Sequence, residues 1–380
     1  MSIFDTTLRD GEQAPGNAMT PEQKVELALR LEALGVDTIE TGFPASSPLE
    51  AEAARLISKR LTTARFTTFC RAVKEDVAVA VDAAGTDRHE VQILATASDL
   101  HLTHKRRISR AEAVHEITET VRFARSLGVE SVSIGLEDAT RGAPELLRAL
   151  ITSSLDSGAN AVVVADTSGC STPQEFGDLI STVRGWAPPP VRLAVHCHDD
   201  LGLSLANSIA GLQAGADEVQ TTLGGIGERA GNTALEQVVA LLRYKGDQLG
   251  LYTDIDSAAM YEVYTLLRGV IGLDEVRNQP IFGQYAFGTA AGIHQHGVLR
   301  NPATYEFVEP AHVGRERSLI VARHSGRSVL HHLLGQLGAE LTPEQTDTLY
   351  RRHILERPGG DCEDISVLRA RLAEDLGLPR

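Results

Sequence analysis

Two histidines separated by a single residue, His196 and His198, are the first features of this chain whose spacing suggests chemistry. On an extended strand, residues two apart point to the same side. Both imidazoles can therefore bind one ion, while Cys197 points into the opposite layer. The pair taken alone also fits two histidines that hydrogen-bond to each other. A carboxylate from Asp10 and an amide oxygen from Asn232 would complete a mixed nitrogen and oxygen site with open positions for water or substrate. Zn²⁺, Mn²⁺, Co²⁺ and Mg²⁺ all suit that donor set. Arg9 precedes Asp10, and a guanidinium beside a bound cation can polarise a carbonyl oxygen and stabilise the alkoxide that forms on it. Its simpler use is an ion pair with Glu137 or Glu12. The loop from Gly224 to Asn232 carries four glycines. It can bring backbone N–H groups close to a phosphate or pantetheine chain, or it can be a tight turn.

Such residues work together only if the fold gathers them. Up to about residue 250 the chain alternates eight times between short β-branched runs and segments of helical periodicity. The strands are expected at Ile3–Thr7, Thr38–Phe43, Arg65–Cys70, Glu90–Ala95, Ser131–Leu136, Ala161–Asp166, Arg192–His196 and Glu218–Leu223. Thr20 suits a helix cap, Pro21 a first turn and Gly35 a stop, which sets the first helix at Thr20–Leu34. Further helices start near Ser47, Val73, Ser109, Ala143, Thr172, Gly202 and Asn232. Eight such units predict an α/β fold, a (β/α)₈ barrel, rather than an open doubly wound sheet. Polar residues just after the strands then converge on one mouth, and strands one, seven and eight become neighbours. That closure is what would bring Asp10 to His196, His198 and Asn232.

Past Gly250 the pattern changes. A helix over Asp256–Ile271, a Gly-, His- and Gln-rich loop over Asn278–Thr304, helices near Ser325–Leu337 and Thr342–Arg352, and one over Cys362–Leu378 are expected. The domains are therefore read as a catalytic barrel over 1–255, a linker and helical subdomain over 256–320, and a C-terminal helical subdomain over 321–380.

Composition excludes whole classes of partner. The net charge of −15 opposes general binding to nucleic acid or to an anionic membrane, so an anionic substrate needs a local basic site. No apolar run has the length of a membrane span, and the N-terminus lacks a basic region followed by an apolar stretch. Cys70, Cys170, Cys197 and Cys362 show no framework spacing and read as reduced thiols in a cytoplasmic protein.

In sequence order, DTTLRDGEQ (5–13), ETGFP (40–44), HCHDDLG (196–202) and GIGERAGN (225–232) resemble the 2-isopropylmalate synthase and homocitrate synthase family. This is the metal-dependent, Claisen-condensing branch of the DRE-TIM metallolyases, and the resemblance runs from residue 3 to about 335. It implies a TIM barrel followed by small helical subdomains, a divalent metal, and condensation of acetyl-CoA with a 2-oxo acid. By the same resemblance Asp10, His196 and His198 are metal ligands, with Asn232 in or near their shell. Arg9 polarises the ketone, and Glu137 and Thr167 sit in the oxo-acid pocket, Glu137 among the catalytic residues. Gly225, Gly227, Glu228, Arg229 and Gly231 form the loop expected to meet the co-substrate. GIHQ (292–295) and Tyr305 match an accessory segment often supplied by a partner subunit, which makes His294 and Tyr305 candidates for proton transfer and implies a homodimer with exchanged C-terminal subdomains. His296 makes a second HxH with His294, but without a carboxylate cluster no second metal is expected there.

Departures from the family pattern bear on the substrate. Gln92 stands where the leucine-pathway enzymes typically have histidine, Gly135 where they have serine, and Thr289–Ala291 replace a common His-Glu-Ser. Gln92 and Gly135 are thus expected in a substrate pocket that differs from one for 2-oxoisovalerate, with 2-oxoglutarate, oxaloacetate or phosphonopyruvate as anionic alternatives. Arg106 stands where an apolar residue is usual, either as charge for a second anionic group or as part of a solvated basic stretch. The sequence ends at residue 380 without the regulatory domain of many isopropylmalate synthases, so leucine feedback is not expected. Two rival functions remain, a lyase of the same superfamily and a non-catalytic binding barrel.

Overall fold

The structure is a computed structural model and describes residues 1–379. Its first 250 residues close eight parallel strands into a barrel in sequence order. The strands are β1 (Ser2–Asp5), β2 (Thr38–Glu40), β3 (Arg65–Arg71), β4 (His89–Thr96), β5 (Ser131–Glu137), β6 (Ala161–Asp166), β7 (Arg192–Cys197) and β8 (Glu218–Thr221). Between and after them come α1 (Pro21–Leu34), α2 (Pro48–Arg60), α3 (Lys74–Ala84), α4 (Arg110–Ser126), α5 (Pro144–Asp156), α6 (Pro173–Trp186), α7 (Ser204–Gln213) and α8 (Leu235–Leu249). All eight expected units are present. The strands expected at Thr38–Phe43 and Glu218–Leu223 stop early, at Glu40 and Thr221, because short 3₁₀ turns at Pro44–Ser46 and Leu223–Gly225 take over the chain there.

The closing contact is β1 on β8, with Ile3 opposite Val219 and Asp5 opposite Thr221. Strands buried on both faces need apolar runs, and Val132, Ile134, Val162, Val164, Leu193, Val195 and Val219 are fully buried. The helices begin where the capping chemistry says. In α1 the Thr20 side chain accepts from Gln23 N, the Gln23 side chain accepts from Thr20 N, and Pro21 opens the first turn.

Buried charge sits at both levels of the barrel lumen. Near the N-terminal end, Arg192 lies against Glu90 and Glu218, and Ser2 Oγ donates to Glu218 at 3.0 Å. Outside the lumen, Glu236 in the first turn of α8 is wholly buried and takes the N–H of Gly224 at 3.0 Å. Burial pushes its carboxyl pKa up to about 8, aided by nearby Asp5, itself pushed up by burial to about 7.

The chain divides into two compact units, residues 1–274 and the part from Glu275 onward. A ninth helix, α9 (Met260–Ile271), packs against α1 and belongs with the barrel. The boundary expected at residue 255 therefore falls after residue 274, since the apolar face of α9 (Met260, Val263, Tyr264, Leu267) is buried within the first unit.

The second unit is not wholly helical, as had been expected. It holds a small sheet in the order β11 (Cys362–Asp364), β10 (Ser318–Ala322), β9 (Gly288–Thr289), with α10 (Gly292–Arg300), α11 (Arg327–Gln336), α12 (Pro343–Tyr350) and α13 (Ile365–Leu376). Val321, Leu330, Leu333, Leu368 and Leu372 form its core. Strands of two to five residues are too short for alternation to show in sequence. Helix α10 occupies part of the stretch expected as loop, and β11 takes the first residues of the expected terminal helix. No helix among the described residues is long and apolar enough to cross a membrane.

A pH dependence of stability follows from Glu236. The unfolded carboxyl ionises near 4.5 and the native one near 8, so the native state holds the extra proton between those values and stability falls as pH rises through that window. Glu236→Gln should remove this loss, gaining on the parent by up to about 1.4 kcal/mol per pH unit between about pH 5 and 8. Urea unfolding of both proteins across that range measures the difference. Equal pH slopes would show that Glu236 does not carry it.

Candidate active site

The C-terminal mouth of the barrel encloses a cavity of about 320 Å³ lined by Arg9, Asp10, Gln92, Gly135, Glu137, Thr167, His196 and His198, among others. Larger grooves of about 940 and 670 Å³ lie in the second unit, but the side chains with convergent chemistry meet in the smaller one. Asp10 follows β1, His196 is the penultimate residue of β7, and His198 lies one residue past that strand, where it bridges to Asn232.

His196 Nε2 and His198 Nε2 are 3.2 Å apart and lie 3.7 and 3.9 Å from Asp10 Oδ2. Among the described residues this is the one cluster of His, Cys, Asp or Glu able to hold a metal ion. Burial, the largest effect, pushes His196 down to about 3 and His198 downward as well, so both imidazoles are neutral and can offer lone pairs. Burial works against the Asp10 carboxylate, but the Arg9 guanidinium, helped by the Asn232 amide N–H, outweighs it and holds it well below the usual range. His198 Nδ1 and Asn232 Oδ1 are buried without a hydrogen-bond partner. A divalent cation fits this donor set: an anionic oxygen and two neutral nitrogens converge, and an unpaired amide oxygen lies beside them. Asn232 Nδ2 donates to Asp10 Oδ1 at 2.8 Å and to Ile226 O at 3.2 Å, so its amide also orients the carboxylate.

Arg9 is buried. Its Nε donates to Glu40 Oε2 at 2.8 Å, its Nη1 to Asp10 Oδ2 at 2.8 Å, and its guanidinium lies 4.8 Å from the Phe69 ring centre. Its partners are thus Glu40 and Asp10, not the expected Glu137 or Glu12. Glu12 instead pairs with the fully buried Lys24, and Glu137 is engaged elsewhere. Lys105 Nζ donates to Glu137 Oε1 at 2.5 Å, His101 Nδ1 lies 3.4 Å from Oε2, and Oε2 makes no hydrogen bond. Thr167 Oγ1 accepts from Asp138 N at 2.9 Å, which leaves its own proton to donate. Gln92 and Gly135 both line the cavity, as expected.

Arg106 does not reach the cavity. A five-residue π turn, Leu102–Arg106, aims Lys105 inward and Arg106 at Glu116, 2.8 Å away. Arg106 is thus an ion-pair partner of Glu116 and adds no charge to the cavity, and Lys105 is the cation that the sequence reading missed. Glu40, Phe69, His101 and Gln220 were missed too. A signal existed for Gln220 and Glu40, because a polar residue inside a fully buried strand of period two must face the lumen or be paired.

The glycines of the 224–232 loop answer to geometry. At Gly227, φ is +150° and a Cβ would sit 2.1 Å from Asn232 Nδ2; at Gly231, φ is +89° and a Cβ would sit 1.9 Å from Gly225 O. These two, and Gly225, do not line the cavity, whereas Glu228 and Arg229 do. Arg229 forks onto Asp200 at 2.7 and 2.8 Å and donates to Thr167 O at 2.7 Å.

His294 and Tyr305 lie in the second unit with ring centres 4.3 Å apart. His294 and His296 are on helix α10, where residues two apart diverge by roughly 200°; the second HxH cannot share an ion. Gln295 is buried and ties Thr289 O and Ile320 O together at 3.0 and 2.9 Å.

Comparison with known proteins agrees with this geometry. An HMGL-like family model matches residues 1–267, and the homocitrate synthase post-HMGL domain-like model matches 281–354. The chain belongs to the 2-isopropylmalate synthase and homocitrate synthase family of HMGL-like barrels. It is 40% identical over 358 residues to 2-isopropylmalate synthase of Sediminispirochaeta smaragdinae, covering 93% of this chain and 71% of that one. It is 41% identical over 342 residues to a probable 2-isopropylmalate synthase of Ignicoccus hospitalis, covering 90% and 84%. Methylthioalkylmalate synthase 1-1 of Eutrema japonicum is 38% identical over 368 residues, covering 92% and 72%. Among solved structures, hydroxymethylglutaryl-CoA lyase from Pseudomonas aeruginosa superposes with a TM-score of 0.63 at 22% identity over 75% of this chain and 95% of that one, which speaks for the fold.

Gly227→Ala tests the packing of Asn232 on Asp10. The added methyl group must displace the Asn232 amide. Turnover should drop at least about tenfold, the size of loss expected when a residue orienting a metal ligand is disturbed. Circular dichroism should show an intact barrel. Unchanged turnover would mean that the Asn232–Asp10 contact is dispensable.

Proposed function

We propose that this protein is an acyltransferase that condenses acetyl-CoA with a 2-oxo acid in a metal-dependent Claisen reaction, the acyl group becoming an alkyl group on transfer. The observation that carries this reading is the convergence of Asp10, His196 and His198 beside the Arg9 guanidinium on the floor of one cavity. The names of the family's relatives support it, and the synthase-type segment over 281–354 favours synthase over lyase.

Asp10, His196 and His198, with Asn232 beside them, would hold the divalent cation. When bound, it supplies a Lewis acid for the carboxylate and ketone oxygens of the 2-oxo acid. Arg9 is fixed by Glu40 and Asp10 with its Nη2 unclaimed by any described acceptor, so it donates to the ketone oxygen and stabilises the developing alkoxide. Thr167 donates to the substrate carboxylate, and Glu137, between Lys105 and His101, serves the same pocket. Gln92 and Gly135 shape the space for the oxo-acid side chain. Glu228 and Arg229, carried on the Gly225–Gly231 turn, form the wall assigned to acetyl-CoA. His294 and Tyr305 are the pair assigned to removing a methyl proton from acetyl-CoA; the carbanion equivalent then adds to the ketone, and water cleaves the thioester. The products are free CoA and a 2-hydroxy-2-alkyl dicarboxylate or tricarboxylate. We further assign a cytoplasmic enzyme and a homodimer whose C-terminal subdomains are exchanged, the arrangement the family resemblance implies for the His294 segment.

The direct test follows CoA thiol release with Mg²⁺, Mn²⁺ or Zn²⁺ and a panel of 2-oxoisovalerate, 2-oxoglutarate, oxaloacetate, pyruvate and phosphonopyruvate, with products identified by mass. His198→Ala should abolish metal-dependent release; retained full activity would end the proposal. Gly135→Ser should raise KM for the preferred oxo acid several-fold more than it lowers kcat, because the hydroxymethyl group takes space from the substrate side chain. An unchanged KM would remove Gly135 from the pocket. Mixing inactive His198→Ala with inactive Tyr305→Phe protein should regain activity if subdomains are exchanged, and two parents that stay inactive together would count against exchange.

A further inference from the structure

Along the cavity floor, a chain of hydrogen bonds crosses the barrel lumen. Glu40 Oε2 takes Arg9 Nε at 2.8 Å and Thr6 Oγ1 at 2.6 Å. Glu40 Oε1 takes Gln92 Nε2 at 3.2 Å, Gln92 Oε1 takes Gln220 Nε2 at 3.1 Å, and Gln220 Oε1 lies 3.0 Å from His196 Nδ1. All these links are buried. They run from the end of β2 through β4 and β8 to β7, and Arg9 Nη1 on Asp10 closes the circuit next to His196.

The direction of every link is fixed by its two ends. A glutamine amide has one end that donates and one that accepts, so two glutamines in series can face either way. The carboxylate of Glu40, already clamped by a guanidinium, accepts only. Gln92 must therefore turn its NH₂ to Glu40 and its oxygen to Gln220, and Gln220 must turn its oxygen to His196. An oxygen there requires the proton on His196 Nδ1. The lone pair is thereby left on Nε2, the nitrogen that faces Asp10 and His198.

We infer that Glu40, Gln92 and Gln220 form a directional hydrogen-bond relay that locks His196 in the Nδ1–H tautomer, so that the residue orienting Arg9 also prepares the imidazole for a cation. Gln92 and Gln220 are positioning residues. They act through His196 and touch no reacting atom. The relay gives a physical reason for glutamine at position 92: a side chain is needed that accepts at one end and donates at the other. The inference rests on the assignment of His196 as a metal ligand for its purpose, but the tautomer itself is a property of the metal-free protein.

The experiment reads the tautomer directly. Metal-free protein labelled with ¹⁵N in histidine is observed through its ring nitrogen shifts, the His196 signals being identified by their loss in His196→Asn. The parent should show a single Nδ1–H form. Gln92→Leu, two links away from His196, frees Gln220 to rotate and should give a mixture of both tautomers, with Mn²⁺ affinity lowered about tenfold to a hundredfold. Gln220→Glu places an acceptor against Nδ1 without help from the relay, so Gln220→Glu combined with Gln92→Leu should restore the single form. A merely structural role for Gln92 would not move the tautomer of His196. A pure Nδ1–H signal in Gln92→Leu with Mn²⁺ affinity unchanged overturns the relay, as does failure of the double variant to restore it. A parent that shows the single tautomer but binds no divalent cation would leave the relay standing and remove the metal assignment instead.

Discussion

The pairing of β1 with β8 is the constraint on which the rest depends. Asp10 and His196 are distant in sequence and touch only because the last strand returns to the first. A parallel barrel cannot splay a pair of neighbouring strands without exposing ladder groups on both, so the distance between Asp10 and the histidines is set by the closure of the whole sheet. The register of β1 on β8 also brings Leu223 N to Thr7 Oγ1 at 2.8 Å, which anchors the turn leading into the Gly224–Asn232 loop. Asn232 is then delivered to Asp10 from the far side. One topological event supplies the carboxylate, its orienting amide and the neighbouring arginine.

Placing charge at that closure has a cost. Arg9, Asp10 and Glu40 are all buried, and an isolated buried charge is strongly unfavourable. The cost is met by connection: Arg9 is shared by two carboxylates, Glu40 is further bonded by Thr6 and Gln92, and Asp10 by Asn232. Removing any one member leaves another unpaired in a low-dielectric lumen. The same low dielectric strengthens the field of Arg9 on an oxygen placed in the cavity, so the arrangement that is costly for folding is useful for stabilising an alkoxide.

The barrel was legible because its strands are buried on both faces and its helices carry strong end signals, as Thr20, Pro21 and Gln23 show. Asp10, His196, His198, Gln92, Gly135, Glu137 and Thr167 were legible as cavity residues because each lies in or just after a strand, and strand ends converge. Partners were harder. That Arg9 pairs with Glu40 depends on which side chain crosses the lumen, and periodicity gives only the face. Lys105 and Arg106 show the same limit: adjacent cations are indistinguishable in sequence until a π turn sends one inward and the other to Glu116. In the second unit, strands as short as Gly288–Thr289 are held by Gln295 and by their neighbours, so nothing local in their sequence marks them.

The cavity's side-chain pocket can be argued further from what its residues are free to do. Gln92 has its oxygen committed to Gln220 and its nitrogen to Glu40, which sets its orientation while one N–H and one lone pair are left over. Gly135 differs. Its backbone is not in the left-handed region, and a Cβ there would have only Leu94 and Gln92 atoms at 3.8 to 4.0 Å, ordinary contact. Neither conformation nor crowding requires glycine at that point. The space left by its missing side chain, bounded by Leu94, Val163 and Ala165 with the Lys105–Glu137 pair at the rim, is thus volume available to a ligand. An apolar wall with a salt-bridged rim accepts either a longer hydrocarbon or a chain ending in charge, and the two differ in whether the Lys105–Glu137 pair must open. A ligand chain ending in an anion would compete with Glu137 for the Lys105 ammonium group, whereas a hydrocarbon would leave that pair closed.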